Sequence, residues 1–414
     1  MRRWGVVMVL AAACAETTAG VVGEAGRPDV VDAADAASGP CRWRAGAVVD
    51  LPRQGAGVTC ALVDLAAGAP GAWVARACDR LAGDVDARRP MVVDRLGARG
   101  DVAGTTRDIE GVDGRAWLAL DDTLDRRALL LEAAAGRGTV LAVLGRDGAA
   151  LSARGVEPDP MHFSLGDHQN LAVTRAGFSC VAQQIRALWG VSLLQLDAGG
   201  RSVMAIDLGF SRAFTPRIKR LALPDRGFFM AWAEPGMMGA ASLQVRRYEE
   251  DGAPLSAGGH MLDARLPAAS PQAPLRVTAA PATDGGALVV WEAEADTLPP
   301  LRTVAVRRVG RDGAPLAATS LLTSVGFYGG GVDAAAAGGD VLVTAITGSG
   351  VLRLVVAALG PDGAPRGELI PVAMVSPTPP ERTAARVVAT AGGALVAFQR
   401  DAATVSVAPL TCER

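Results

Sequence analysis

Aromatic side chains make up only 4% of this 414-residue chain, and histidine occurs three times. A sugar cleft usually presents exposed aromatic faces, so that chemistry starts from a thin supply. Charge of one sign is missing too. The formal net charge is -2, residues 15–40 carry a net of -4, and everything from Cys41 onward balances to about zero. Basic residues are scattered singly or in short arginine pairs, the pattern of a solvated strand face, so no nucleic acid partner is expected. No apolar run approaches the roughly 20 residues that a membrane-spanning helix needs.

Catalytic punctuation is scarce as well. The chain has no Gly-x-Ser-x-Gly elbow, no cysteine in a recognisable catalytic setting, and no phosphate-cradling glycine loop ahead of a helix. Calcium loops need acids at alternate positions, and each Asp-Gly turn here supplies one. The densest polar stretch is "DPMHFSLGDHQN", residues 159–170, which gathers Asp159, His162, Asp167 and His168, while His260 stands apart. Zinc ligation there requires the segment to fold back on itself, and the spacing matches no compact ligand motif. An ordinary connecting loop is the preferred reading, and no catalytic residue, cofactor or metal is assigned.

What the chain does have is 50 glycines and 25 prolines among 50% apolar residues, a composition of many short elements and many turns. The first twenty residues, "MRRWGVVMVLAAACAETTAG", set two arginines before a short apolar run and small residues around Cys14. That is the layout of a secretory signal over residues 1–13. The alanines before Cys14 resemble a bacterial lipoprotein signal, although Ala11 stands where leucine is usual. The resemblance implies lipidation of Cys14 and membrane attachment through acyl chains alone. Ordinary cleavage, leaving a soluble secreted protein, is the alternative. Residues 14–40 then read as the anchor site and a flexible tether, too poor in large apolar groups to offset ordering entropy.

From Cys41 to the end the chain repeats itself. "QVRRYEEDGAPL" from Gln244 and "AVRRVGRDGAPL" from Ala305 are near copies, with relatives "LAVLGRDGAAL" from Leu141 and "VVAALGPDGAPR" from Val355. Weaker copies place further turns near Gly100 and Gly199, at intervals of about 50 residues. Asp-Gly between apolar runs is a strong hairpin signal, since the turn demands a positive φ. A second mark keeps the same beat: "GGALVVW" from Gly285, "GGDVLVT" from Gly338, "GGALVAF" from Gly392, and earlier relatives from Arg226, Ala176, Gly114 and Gly71. Short apolar runs bounded by glycine read as strands buried on both faces.

Each unit therefore reads as four antiparallel strands, and seven such units predict an all-β, seven-bladed β-propeller over residues 41–414, with six or eight blades as fallbacks. The region from Thr105 to Val140 is the weakly patterned part. The last unit stops at three strands, while "CRWRAGAVVDL" from Cys41 precedes the first unit as a spare strand with Trp43, Ala45, Ala47, Val49 and Leu51 alternating. Closure of the ring by this strand is expected, because an open ring leaves sheet edges exposed. It brings Cys41 to Cys412, and a disulfide across a loop of that length contributes up to roughly 5 kcal/mol. Cys60 and Cys78 flank the first buried strand and form the second expected pair. Cys180 remains as a buried thiol, although other connectivities are open.

The "DGAPL" and "GGALVVW" segments resemble the repeats of exported bacterial β-propeller lipoproteins, a group of unassigned activity. The Trp-Asp blade signature, the sialidase acidic box and the kelch placement of glycine pairs are absent, so the resemblance implies a fold and a cell-surface setting and brings no catalytic residue. "RGD" at Arg99–Asp101 is a degenerate blade turn rather than an adhesion motif, and Trp232 and Trp291 are core residues. The expected function is a non-enzymatic, surface-tethered binding or scaffold module, monomeric, presenting loops of one propeller face to a protein or polymer ligand at the outer membrane. The alternative is a secreted carbohydrate-active or other hydrolase with carboxylates at the central channel.

Overall fold

A computed structural model describes residues 41–55, 58–80, 91–109, 115–132, 139–156, 162–163, 170–185, 189–209, 218–223, 225–235, 241–266, 276–294, 302–322, 331–348, 350–376 and 384–413. The expected signal, Cys14 and the tether lie outside these residues. No helix occurs among the described residues, and the strands form seven antiparallel sheets.

Each sheet is one blade, and the blades follow the chain. Blade 1 consists of Val58–Gly68, Gly71–Arg80, Met91–Gly97 and Val102–Ile109. Blade 2 consists of Arg115–Asp121, Arg126–Glu132, Thr139–Leu144 and Ala150–Gly155. In blade 3 the short pieces His162–Phe163 and Leu171–Val173 together flank Gly177–Ile185, followed by Trp189–Asp197 and Ser202–Asp207. Blade 4 runs Ile218–Ala222, Phe228–Pro235, Ala241–Tyr248 and His260–Leu266. Blade 5 runs Val277–Pro281, Ala287–Glu294, Arg302–Val309 and Ser320–Leu321. Blade 6 runs Asp333–Ala337, Asp340–Thr347, Leu352–Leu359 and Ile370–Val375. Blade 7 takes Ala385–Thr390, Gly393–Gln399 and Val405–Glu413 from the end of the chain, and its outermost strand, Arg42–Ala45, from the beginning.

That last pairing closes the ring. Arg42 lies opposite Glu413 and Ala45 opposite Leu410, and the Cys41–Cys412 disulfide joins the two strands. A second disulfide, Cys60–Cys78, joins residues directly opposite each other on the first two strands of blade 1. The alternation expected from Trp43 to Leu51 does not hold throughout. Pairing breaks after Ala45 and resumes at Val49–Asp50, and Val49 is exposed while Trp43 and Leu51 are buried. The cause is Pro409 on the opposing strand. It has no N–H to donate, so the ladder there rests on the Gly46 N–H donating to the Pro409 carbonyl at 2.8 Å.

The core is divided among the blade interfaces. Separate clusters of buried apolar residues fill the contacts of blade 1 with 2, 2 with 3, 3 with 4, 4 with 5, 5 with 6, 6 with 7, and 7 with 1. The second strands sit in the middle, and Asp340–Thr347 is buried at every residue. Trp291 and Trp232 lie in these clusters.

The repeated Asp-Gly hairpin explains itself in this geometry. In blade 5 the Gly310 N–H donates to the Ala314 carbonyl, the Gly313 N–H to the Gly310 carbonyl, and the Asp312 carboxylate accepts the Ala314 N–H. Gly313 has φ +91, and a Cβ there would lie 3.3 Å from Phe229 of blade 4. The hairpin is therefore both a turn and a clip onto the preceding blade. The same backbone pattern recurs at the hairpins of blades 1, 2, 3, 4 and 6. Arg99–Asp101 belongs to the blade 1 copy, with Gly97 N–H donating to the Asp101 carbonyl.

One assignment differs from the sequence reading. The apolar run after Gly114 is the first strand of blade 2, and the buried second strand is Arg126–Glu132. The turn between them takes its positive φ at Asp125, with φ 50, where blades 5, 6 and 7 use glycine. The glycine signal was therefore missing from the weakly patterned region.

Candidate functional site

A propeller's innermost strands have a neighbour on one side only, so their other edge is a row of unpaired backbone groups facing the ring's axis. Buried side chains of adjacent blades satisfy several of them. Asp64 of blade 1, fully buried, accepts the Leu65 N–H at 2.9 Å and the Leu118 N–H of blade 2 at 2.8 Å. Asp333 of blade 6 accepts the Val387 N–H of blade 7 at 2.9 Å and the Thr278 hydroxyl of blade 5 at 3.1 Å. Gln399 of blade 7 accepts the Leu62 N–H at 2.8 Å and donates to the Cys60 carbonyl at 3.1 Å. These acids act as backbone acceptors that stitch one blade to the next.

Cations line the starting end of the inner strands. Lys219 and Arg386 are the second residues of the first strands of blades 4 and 7, Arg276 immediately precedes the first strand of blade 5, and Asp333 opens that of blade 6. Arg276 pairs with Glu292 at 3.5 Å. Arg220 is fully buried between blades 3 and 4, donating to the Asn170 carbonyl at 3.1 Å and to the Ser179 carbonyl and hydroxyl at 2.6 and 2.9 Å. The Phe228 ring lies 4.5 Å from its guanidinium. Burial pulls the Arg220 pKa down to about 10 and pushes the neighbouring Cys180 thiol up to about 12. Cys180 is therefore an inert core thiol at neutral pH.

The opposite end of the ring's axis is ringed by the turns between first and second strands. Here Arg226 of blade 4 reaches across blade 3 to Asp121 of blade 2, at 3.4 Å. Arg226 has φ 68, and it and Asp125 are the non-glycine residues of positive φ among the described residues. Burial raises the Asp121 pKa, but hydrogen bonds from Thr123, Leu124 and Arg226 outweigh it and hold the group below the usual carboxylate value. Next to it, Arg146 and Arg127 hold Asp125 at about 2. Arg127 also pairs with Asp122, and Arg126 donates to the Thr174 and Arg175 carbonyls of blade 3. The mouth is thus a charge-compensated rim that offers ion pairs and amide edges, suited to holding a polar ligand by exchange of hydrogen bonds.

Of the polar stretch singled out in the sequence, His162 falls on a strand residue opposite Gln183, while Asp159, Asp167 and His168 lie outside the described residues. His260 belongs to the outer strand of blade 4, against the blade 5 hairpin at Gly313. It is on a different blade from His162. Among the described residues no group of three His, Cys, Asp or Glu could hold a metal ion. Asp64, Asp333, Arg220 and the Asp121–Arg226 pair were not anticipated. Their one trace in the sequence is a charged residue inside an apolar strand, as in "CALVDLAAG" and "VDAAAA".

No family model and no curated protein matches the chain. Among solved structures it is similar to the β-propeller domain of the Trilobed protease from Pyrococcus furiosus, at 10% identity over 82% of this chain and 92% of that one, with TM-score 0.49. It is also similar to extracellular domains 1–2 of Drosophila Semaphorin 1a, at 8% identity over 87% of this chain and 88% of that one, TM-score 0.46. The periplasmic gluconolactonase of Pseudomonas aeruginosa matches at 18% identity over 83% of this chain and 89% of that one, TM-score 0.42.

Proposed function

We propose that this protein is a non-enzymatic binding or scaffold module, held at an envelope surface, that presents a propeller face to a protein or polymer ligand. The observation that carries this reading is the commitment of the acids. Asp64 and Asp333 are spent on backbone edges, and Asp121, Asp122 and Asp125 on arginines and turn N–H groups. A glycosidase working through a carboxyl pair needs one acid kept protonated near its working pH, whereas Asp50, Asp121, Asp125 and Asp284 are all shifted downward.

The hydrolase alternative would have to draw on Glu292, a buried acid already paired with Arg276 at 3.5 Å. A panel of chromogenic glycosides, lactones and esters separates the two readings. No turnover is expected between about pH 4 and about pH 9, together with co-sedimentation of the protein with isolated envelope polymer. Saturable turnover that disappears in Glu292→Gln replaces binding with hydrolysis.

Two disulfides fit an oxidising compartment. No helix among the described residues is long and apolar enough to cross a membrane. What supports attachment through a lipid on Cys14, with residues 15–40 as the tether, is the alanine run that precedes that cysteine. Cys14→Ser is expected to abolish labelling by a fatty-acid probe and release the protein from membranes; unchanged partitioning removes the anchor from this reading.

A further inference from the structure

The turn between first and second strands is built alike in blades 4 and 5. In blade 5 the Ala282 N–H donates to the Gly286 carbonyl, the Gly285 N–H to the Ala282 carbonyl, and Asp284 accepts the Gly286 N–H. In blade 4 the Leu223 N–H donates to the Gly227 carbonyl, the Arg226 N–H to the Leu223 carbonyl, and Asp225 accepts the Gly227 N–H. The residue at positive φ is Gly285 in one turn and Arg226 in the other, with φ 80 and 68. Glycine adopts that conformation without a steric cost, so Arg226 strains a turn that has no need of its side chain.

Within the protein that side chain is poorly served. Its guanidinium meets Asp121 at 3.4 Å, long for a charge-assisted bond, and its Nε is buried without an acceptor. Charge compensation is incomplete around it as well. Asp121 lies opposite Arg126 in the blade 2 hairpin, and Arg126 donates to the Thr174 and Arg175 carbonyls of blade 3 instead of to an acid. Arg175 is exposed, and its guanidinium has no hydrogen bond or ion pair among the described residues. Glu250 of the blade 4 hairpin accepts the Arg175 N–H. Around the blade 3 turn, Arg126, Arg175 and Arg226 therefore meet two carboxylates, Asp121 and Glu250.

We propose that this sector of the mouth binds a peptide carboxylate of a partner protein, an acidic side chain or a chain end, through Arg226 and Arg175. The proposal rests on the binding-module reading and selects the protein ligand from it. A carboxylate is what Arg226 already holds, so Asp121 stands in for the ligand. When the guanidinium turns to the incoming group, the other oxygen of Asp121 stays on the Thr123 and Leu124 N–H groups. The uncompensated charge is that of one guanidinium, which suits a carboxylate better than a phosphate ester of charge near about -2. A sugar polymer lacks its usual platform, because the exposed large apolar residues among those described include no aromatic.

Fluorescence polarisation of labelled hexaglutamate, with its C-terminus free or amidated, tests this on the full chain. Saturable binding of hexaglutamate and none of hexaglutamine is expected. Retention after amidation assigns the site to acidic side chains, and loss assigns it to the chain end. Arg226→Gly should weaken binding by about tenfold or more while the thermal midpoint holds or rises, because glycine relieves the turn. A purely structural arginine would instead lower the midpoint. Arg175→Gln should weaken binding as well, whereas Arg99→Gln, exposed on the blade 1 hairpin of the same face, should not. No binding of hexaglutamate, an equal loss in Arg99→Gln, or tighter binding of polygalacturonate overturns the proposal. Co-sedimentation with envelope polymer that survives Arg226→Gly also removes this site, while leaving the binding-module reading in place.

Discussion

The indole N–H of Trp43 donates to the Asp340 carboxylate at 2.9 Å, although 297 residues separate the two in sequence. Trp43 comes from the closing strand of blade 7, and Asp340 opens the second strand of blade 6. The other oxygen of Asp340 accepts from Arg366 at 2.6 Å. Both Trp43 and Asp340 are buried. The start of the body is thus fastened to the sixth blade as well as the seventh, so closure is a contact among three segments of chain. Trp43→Phe keeps most of the apolar area but leaves one buried carboxylate oxygen without this donor. The expected loss is about 1–3 kcal/mol, read from the denaturant midpoint. A change below about 0.5 kcal/mol would mean that Asp340 finds another donor.

The clasp beside it is covalent. Cys41 and Cys412 are 371 residues apart, and their bond limits the freedom of the unfolded chain. Cys412→Ser is expected to cost about 2–5 kcal/mol and to raise susceptibility to proteolysis at the closing strand. Peptide mapping without reduction should return Cys41–Cys412 and Cys60–Cys78. Cys180 should be alkylated only after unfolding, since its thiol is buried with a pKa pushed up to about 12.

The ring and its closure were legible because they are written in turn chemistry. A hairpin residue at positive φ is cheapest as glycine, and a clip against the preceding blade needs a residue without a side chain, so the same letters recur at Gly148, Gly252, Gly313 and Gly363. In blade 2 Asp125 takes the positive φ of the first turn, no glycine marks that turn, and the strands of the blade are displaced by one place in the reading. The inner wall was not legible for a different reason. Asp64 meets Leu118, and Asp333 meets Val387, each across 54 residues, one step around the ring. Such a bond leaves no local pattern, only an acid in an apolar run that hydrophobic periodicity counts as a blemish.

Glycine's two duties in the hairpin can be separated by substitution. Gly313→Ala meets both an unfavourable φ and the Phe229 ring, whereas a Cβ at Gly258, in the same kind of connection one blade earlier, meets nothing within 4 Å. Gly313→Ala should cost about 1–3 kcal/mol, and Gly258→Ala less than about 0.5 kcal/mol. Equilibrium denaturation of the two variants side by side checks the ranking. Equal losses would show that the hairpin does not clip onto blade 4.

The ion pairs at the channel mouth make an acid-limb prediction. Arg146 and Arg127 hold the folded-state pKa of Asp125 at about 2, below its ordinary value of 3.8. Asp121 and Asp284 are lowered as well, the first by hydrogen bonds that outweigh burial, the second chiefly by Arg308. A carboxylate whose folded pKa is depressed favours the folded state above the unfolded pKa, and that contribution is lost as pH falls through the folded value. The window is therefore from about 4 down to about 2, and stability should be flat on this account above about pH 5. Carboxylate resonances followed by NMR should show Asp125 titrating near 2, and Arg146→Gln should move it upward toward the ordinary value. Titration of Asp125 at its ordinary value in the unaltered protein would break the proposed arginine rim, because the same two guanidinium contacts define both the pKa and the geometry of the mouth.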